Sequence, residues 1–284
     1  MRKITPLGEL TISNNFMFGA VMSDEEICRE FLEMALGFPI EKVTVSKEKS
    51  IIYHPEYKGV RLDIIAKDEN HTHYNVEMQV SRKPAIGRRS RYYHSQIDME
   101  LLLSGMDYAA LPDTYVIFVC DFDPFGGKKY RYTFGSRCKE DETASLMDGS
   151  HTVFLSTCGK NPDEVPESLV KFLKYVGSKL TDSMADFEDD FVRKLQASVR
   201  SVKASREMEA RYMLLEELLK DERAEAKAEG KAEDILFLLE ELGEVPEALR
   251  EEILEEKRLD VLQAYLKKAF ASQSIGEFME SMHK

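Results

Sequence analysis

The stretch that decides the fold reads VRLDIIA over residues 60–66 and YNVEMQV over residues 74–80. Apolar and polar residues alternate in both segments, which predicts two β-strands, and the polar residues between them predict a hairpin turn. Glu77 and Gln79 are two residues apart and therefore share one face of the second strand. Asp63 lies among apolar positions of the first strand, where an unpaired carboxylate is costly. Two carboxylates on adjacent strands predict a site for a hard divalent cation such as Mg²⁺.

The composition predicts a cytoplasmic protein without a membrane partner. The chain of 284 residues is long enough for one core and a smaller second unit. Its apolar runs fall well short of the roughly 20 residues that span a bilayer. The basic residues near the start are not followed by an apolar segment, so we expect no signal peptide. The four cysteines are far apart in the sequence, which favours reduced and mostly buried thiols over disulfides or a zinc site.

The charge is unevenly distributed along the chain. The overall net charge is −13, of which residues 1–180 contribute −3 and residues 181–284 contribute −10. An acidic total argues against a nucleic-acid partner, but local charge matters more for binding phosphate. Residues 81–91 contain no acidic residue and directly follow the strand that carries Glu77. Their basic residues are Arg82, Lys83, Arg88, Arg89 and Arg91.

The remaining pattern predicts an α/β core. A helix is predicted over 23–36, where it begins with a capping box and ends at Gly37. A second helix is predicted over 88–108, with Met106 among its buried residues. Besides the two strands above, strands are predicted over 43–53, 115–120, 130–134 and 153–157. This order of helix, three-stranded meander, helix and strand predicts an antiparallel meander and a later strand parallel to one of its members.

The chain after Pro166 is predicted to be helical. Phe187, Phe191, Leu195 and Val199 have helical spacing and predict a packing stripe. The alanine-rich charged segment 223–233 predicts an exposed helical linker. An amphipathic helix over 235–242, a helix that begins at Pro246 and a third helix over 259–270 are predicted to follow it. We therefore divide the chain into a first domain (1–180), a helical connector with a polar linker (181–233) and a small helical C-terminal domain (234–284). A unit this small favours docking or self-association, so a homo-oligomer formed through the C-terminal helices is expected.

Three motifs carry a resemblance to a known family. GVRLD at 59–63, YNVEMQ at 74–79 and RSRYY at 89–93 resemble the PD-(D/E)XK nuclease superfamily. More narrowly, they resemble the bacterial recombination-promoting nuclease or transposase-like family. The resemblance implies a restriction-endonuclease-like core, with a mixed sheet flanked by helices, and an α-helical C-terminal extension.

The same resemblance implies metal-dependent cleavage of DNA. Asp63 and Glu77 match the two acids of the motif and are expected to bind Mg²⁺, or Mn²⁺ or Ca²⁺, together with the backbone carbonyl of Met78. Gln79 stands where the superfamily name has Lys, and we expect it to orient the attacking water. Relatives often carry Asp where this chain has Asn15, which keeps an oxygen in support of the site but loses a charge. Ala20 stands where relatives often have Lys.

Together these features predict a magnesium-dependent deoxyribonuclease with little sequence specificity, which promotes recombination or acts on mobile or foreign DNA. The five basic residues within 81–91 are expected to contact DNA phosphates, which positions DNA without reading its sequence. The alternative is a catalytically weakened DNA-binding or regulatory oligomeric protein of the same fold. His71 and His73 lie at a polar turn and are interpreted as turn residues rather than metal ligands. A transposase proper is disfavoured because no separate domain for reading transposon ends is evident.

Overall fold

The fold is seen in a computed structural model that describes residues 4–51 and 60–282, with side chains omitted for 47–51 and 60–63. Its described residues form two compact units, one up to Met208 and one from Glu209 onward. In the described part of the chain, no helix combines the length and the apolarity needed to cross a membrane.

The first unit is built around a six-stranded mixed sheet in the order β1-β2-β3-β4-β6-β5. Strands β1, β2 and β3 form an antiparallel meander, β3 pairs in parallel with β4, β4 in parallel with β6, and β5 is antiparallel to β6. The predicted meander and the predicted parallel strand are both confirmed. The strand bounds are β1 Val43–Ile51, β2 Val60–Asp68, β3 His73–Gln79, β4 Thr114–Cys120, β5 Arg131–Phe134 and β6 Ser150–Ser156.

Helices cover both faces of this sheet. The first unit contains α1 Asn15–Met22, α2 Glu25–Leu36, α3 Ile86–Leu101, α4 Glu167–Val176 and α5 Asp190–Ala204. Helix α3 packs on one face, where Tyr93 stacks on Phe118 of β4 with 6.2 Å between the ring centroids. Helices α1 and α2 contact strands of the meander, and an aromatic chain joins their layer to α4 through Phe31 and Phe172, 5.3 Å apart. This mixed sheet flanked by helices is the predicted restriction-endonuclease-like architecture.

Two helix ends differ from the prediction. Helix α2 is capped by Asp24, whose carboxylate accepts hydrogen bonds from the N–H groups of Glu26 and Ile27, so its capping residue lies one position later than the capping box implies. Helix α3 ends at Leu101, and the predicted burial of Met106 is wrong because that side chain is 44% exposed. The Ser104-Gly105 pair disfavours helix continuation and explains the earlier end.

The second unit has its own apolar core. Its helices are α6 Arg206–Glu240, α7 Glu247–Glu255, α8 Leu259–Ala271 and α9 Ile275–Met282. The segment predicted as an exposed linker is helical, but Ala228 and Ala232 are buried in this core, so full exposure of the segment is wrong. The two alanines are four residues apart and lie on one face of α6, where small side chains allow close packing.

The cysteines are all free thiols. Cys28 and Cys120 are buried, and burial raises the pKa of each to about 12. Cys158 is exposed and Cys138 is partly buried, so the expectation of mostly buried thiols holds for only two of the four.

Candidate active site

Three polar side chains of β3 point towards α3 and are almost fully buried. Asn75, Glu77 and Gln79 are 0%, 1% and 6% exposed. They alternate with apolar residues, as the sequence predicts, and β3 is an interior strand whose two faces are both covered. A buried carboxylate is costly unless other groups compensate its charge and satisfy its oxygens.

Arg89 of α3 supplies that compensation. Its Nη2 donates to Oε2 of Glu77 at 2.9 Å, and its Nη1 donates to Oε1 of Gln79 at 3.0 Å. Its Nε donates to the hydroxyl of Tyr93 at 2.6 Å, and its guanidinium carbon lies 5.0 Å from the centre of the Tyr93 ring. The guanidinium therefore joins the two motif residues of β3 to α3 in one polar cluster.

Asn75 contributes an unsatisfied oxygen to this cluster. Its Nδ2 lies 3.4 Å from Oε1 of Glu77, which is a long hydrogen bond. Its Oδ1 is buried and has no hydrogen-bond partner among the described residues. Buried oxygens without a protein partner are rare, and such an oxygen commonly binds a water molecule or an ion.

Asp63 and Met78 are the other expected metal ligands. Asp63 lies on β2, but its side chain is outside the described part of the structure. Met78 lies between Glu77 and Gln79 and its side chain points to the opposite face of β3, where it is buried. Among the described side chains, no group of three or more His, Cys, Asp or Glu residues is arranged to hold a metal ion.

The other basic residues within 81–91 have different environments from Arg89. Arg82 donates to the carbonyl oxygen of Asp123 at 2.7 Å and lies over the ring of Phe122. Lys83, Arg88 and Arg91 are exposed. A solvent-accessible cluster of this kind is available to phosphate groups.

Two further expectations concern residues outside this cluster. Asn15 is exposed at the first position of α1, where the neighbouring Asn14 caps the helix. His71 lies in the β2–β3 turn with a positive φ of 67°, and His73 is the first residue of β3.

A second polar network on the same face was not singled out from the sequence. The hydroxyls of Ser90 and Thr152 are 2.6 Å apart, and His94 places Nε2 3.1 Å from Thr152 Oγ1 and Nδ1 2.8 Å from Thr114 Oγ1. Burial, with a smaller contribution from His151, lowers the pKa of His94 to about 4, so this imidazole is neutral near pH 7. The i, i+4 spacing of Ser90 and His94 indicates a shared helix face, but their partner Thr152 is about 60 residues away and Thr114 is 20 residues away.

The comparisons with known proteins give one match. Residues 14–229 match a family model described as a PD-(D/E)XK nuclease family transposase. This range includes Asp63, Glu77, Gln79 and Arg89, and it spans more than half of the chain. No significant match was found among curated proteins or among solved structures.

Proposed function

The chain belongs to the PD-(D/E)XK nuclease family transposases, and we propose that it is a metal-dependent DNA endonuclease. In this proposal it hydrolyses phosphodiester bonds in the cytoplasm with little sequence specificity, and it promotes recombination or acts on mobile or foreign DNA. The observation that carries the proposal is the buried cluster of Glu77, Gln79 and Asn75 on one face of β3. Such a cluster is costly for stability and is more readily explained by chemistry than by folding.

The strand register supports a pair of acids. Ile64 lies opposite Val76, and Ile65 lies opposite Asn75. Continued by one residue, the same antiparallel register brings Asp63 opposite Glu77. Directly opposite residues on neighbouring antiparallel strands lie within reach of each other.

The donor atoms fit a hard cation. Glu77 offers a carboxylate, Gln79 an amide oxygen and Asn75 an unsatisfied oxygen, which are the ligand types that Mg²⁺, Mn²⁺ and Ca²⁺ prefer. In the proposal Asp63, Glu77 and the carbonyl of Met78 hold Mg²⁺, with Mn²⁺ or Ca²⁺ as substitutes. A divalent cation bound there would polarise the scissile phosphate and lower the pKa of a bound water.

The protein's own side chains have three tasks in this mechanism. Gln79 orients the attacking water through its amide, and its neutral side chain adds no positive charge to the site. Arg89 already neutralises Glu77 and holds Gln79 in place. The other basic residues of the segment hold DNA phosphates, which explains weak sequence specificity because phosphate contacts carry no base information. These residues are Arg82, Lys83, Arg88 and Arg91.

Two observations favour the alternative of a DNA-binding or regulatory protein. The guanidinium of Arg89 occupies one oxygen of Glu77, so a cation at that carboxylate must share it with Arg89 or displace it. Exposed Asn15, with an amide where relatives often have a carboxylate, points the same way. In this alternative the protein binds DNA without cleaving it, or it is a regulatory homo-oligomer formed through the C-terminal helices.

Plasmid cleavage tests the proposal directly. Supercoiled plasmid is incubated with the full-length protein and Mg²⁺ or Mn²⁺, beside the variants Asp63→Asn and Glu77→Gln, which keep side-chain size and remove charge. Glu69→Gln is the matched control because Glu69 is an exposed carboxylate in the β2–β3 turn. We expect nicking or linearisation by the wild type and the control, and at least a hundredfold loss in the two site variants.

If none of the four proteins cleaves the plasmid with either metal, but all of them still bind it, the endonuclease proposal is wrong and the DNA-binding alternative takes its place. Light scattering with and without DNA then measures whether the protein is an oligomer.

A further inference from the structure

A groove on the α3 face of the sheet lies apart from the Glu77 cluster. It has a volume of about 420 Å³ and runs between α3 and the outer strands β5 and β6. One wall is formed by three phenylalanines, Phe125, Phe134 and Phe154, and the other by polar residues of α3. A cavity of this size lies within the range of small-ligand sites and is large enough for a nucleotide-sized group.

The aromatic wall is accessible, and its exposed rings pack on a buried one. Phe125 and Phe134 are both 46% exposed, and their ring centroids are 5.0 Å apart. Both pack edge-on against buried Phe154, at 4.9 and 5.8 Å. Half-exposed aromatic rings held in fixed orientations by a buried third ring form a platform on which another flat group can stack.

The opposite wall is polar and positively charged. Ser90 and His94 are held by Thr152, and Arg91 is exposed on the same helix. Arg91 is the only residue with a formal charge among the described residues that line the groove. The carboxylate of Asp148 lies outside the lining and accepts a hydrogen bond from the hydroxyl of the lining residue Ser136 at 2.6 Å. The charge of the lining therefore complements an anionic ligand that also carries a flat apolar face.

The groove is close to the candidate active site. Across the sheet, Glu77 of β3 lies beside Phe118 of β4, which lies beside Phe154 of β6. Neighbouring strands are separated by about 4.8 Å, so Phe154 is about 10 Å from Glu77 along this row. Phe118 and Phe154 stack 4.9 Å apart on the α3 side, which places the groove and Glu77 on the same face of the sheet. A short unstacked stretch of a DNA strand spans this distance.

We propose that this groove binds an unpaired nucleotide of the DNA strand, with its base stacked on one of the two exposed rings, Phe125 or Phe134, and in edge contact with the other, whose plane is tilted by 56°, and with its phosphate beside Arg91. The inference rests on the proposed function and deepens it, because it assigns single-stranded or locally unpaired DNA as the preferred substrate class. A base inside a duplex is stacked on both faces and must be unstacked before it can use such a platform. Stacking on aromatic side chains is tolerant of sequence, in keeping with an enzyme of low specificity.

Binding of a single strand tests the inference without any cleavage step. A fluorescein-labelled dT oligonucleotide and a blunt duplex are titrated with full-length protein in EDTA, beside Phe125→Leu and Phe134→Leu, which keep apolar bulk and remove the ring. Tyr108→Leu is the matched control because Tyr108 is 82% exposed and lies outside the groove. We expect the wild type to bind the single strand more tightly than the duplex. Each groove variant should lose about tenfold in affinity for the single strand, since stacking contributes about 1–3 kcal/mol per base.

A cross-linking measurement keeps the test independent of folding in the variants. An oligonucleotide that carries 5-iododeoxyuridine is irradiated with wild-type protein, and the cross-linked peptide is identified by mass spectrometry. Attachment at Phe125 or Phe134 supports the inference. Unchanged single-strand affinity in both folded variants, or attachment only at residues outside the groove, overturns it.

The two proposals fail in different ways. Single-strand affinity that does not depend on Phe125 or Phe134, together with retained plasmid cleavage, removes the groove assignment and leaves the endonuclease. Stacking-dependent binding without metal-dependent cleavage keeps the groove and removes the endonuclease.

Discussion

At the scale of single residues, Arg89 is the side chain on which the candidate active site depends. It contacts Glu77, Gln79 and Tyr93, and it is 27% exposed while the Glu77 side chain is 1% exposed. The pair is therefore a largely buried salt bridge with further hydrogen bonds. Removing one partner of such a pair leaves a buried charge without compensation, which costs more than an exposed ion pair is worth.

Replacing Arg89 by Ala should lower the free energy of unfolding by about 3 kcal/mol, because the carboxylate of Glu77 then stays buried without a guanidinium. Arg89→Lys should recover part of this loss, since an ammonium restores the charge but not the paired geometry. Urea denaturation measures both values. Arg91→Ala on the exposed side of the same helix is the control and should change stability by less than about 0.5 kcal/mol. Equal stability of Arg89→Ala and wild type would show that Glu77 is not buried as a charged group.

His94 should make the first unit sensitive to acid. Its pKa is about 4 in the folded protein because of burial, against an ordinary value of 6.5, so the unfolded chain binds a proton more readily between these values. Stability is therefore fully present above pH 6.5 and decreases as the pH falls towards 4. The expected loss attributable to His94 is about 1–3 kcal/mol.

The measurement compares wild type with His94→Gln, which keeps hydrogen-bonding capacity but does not titrate. Urea unfolding at several values between pH 7 and pH 4.5 should give a steeper decrease for the wild type. Parallel pH profiles for the two proteins would contradict the assignment.

At the scale of elements, the position of β5 depends on a close contact between Tyr130 and Gly159. Tyr130 precedes β5, and its backbone makes two hydrogen bonds. Its carbonyl oxygen accepts from the N–H of Ser156 at 2.9 Å, and its own N–H donates to Oδ1 of Asn161 at 2.8 Å. Its ring lies over Gly159, where an added Cβ would come within 2.3 Å of Cγ of the ring. Only glycine fits there without a shift of Tyr130, and β5 carries Phe134 of the groove.

Gly159→Ala should therefore lower the free energy of unfolding by about 1–3 kcal/mol through overpacking against Tyr130. Thermal and urea unfolding test this expectation. Gly135→Ala is the matched control, because a Cβ at Gly135 meets no described atom within 4 Å, and we expect a change below about 0.5 kcal/mol. A Gly159→Ala protein as stable as the control would mean that Tyr130 moves aside at little cost.

At the scale of the whole molecule, each of the two compact units buries apolar residues of its own among the described residues. The second unit buries Leu239, Ile253, Leu262 and Phe278 among helices α6 to α9. Since no residue of this core belongs to the sheet, a substitution in this core should destabilise the second unit before it affects the first.

Phe278→Ala should destabilise the second unit by about 3–5 kcal/mol, because Phe278 is fully buried and its removal leaves a cavity. Hydrogen exchange followed by mass spectrometry should show faster exchange in α6 to α9 and unchanged protection in β3 and β4. Phe270→Ala is the control within the same unit, since Phe270 is 82% exposed. Loss of protection in the sheet as well would mean that the two units unfold together.

The sequence by itself determined the local elements and the residues that carry the candidate chemistry. Period-two alternation predicted the β2–β3 hairpin and placed Glu77 and Gln79 on one face, because in a strand the side-chain direction is a property of the backbone. Helix signals likewise predicted α2 from its acidic start and Gly37. Helix α9 was missed because eight residues give too few repeats for a periodic signal.

Only the tertiary structure decided which distant side chains meet. The pairing of Arg89 with Glu77 and of Ser90 with Thr152 depends on how α3 crosses the sheet, and the three-phenylalanine platform depends on β5 and β6 lying side by side. Local sequence patterns specify a face and an approximate length, whereas these contacts follow from packing between elements that are far apart in the chain. The sequence could therefore indicate Arg89 as a cation near the site but not as the partner of the buried carboxylate.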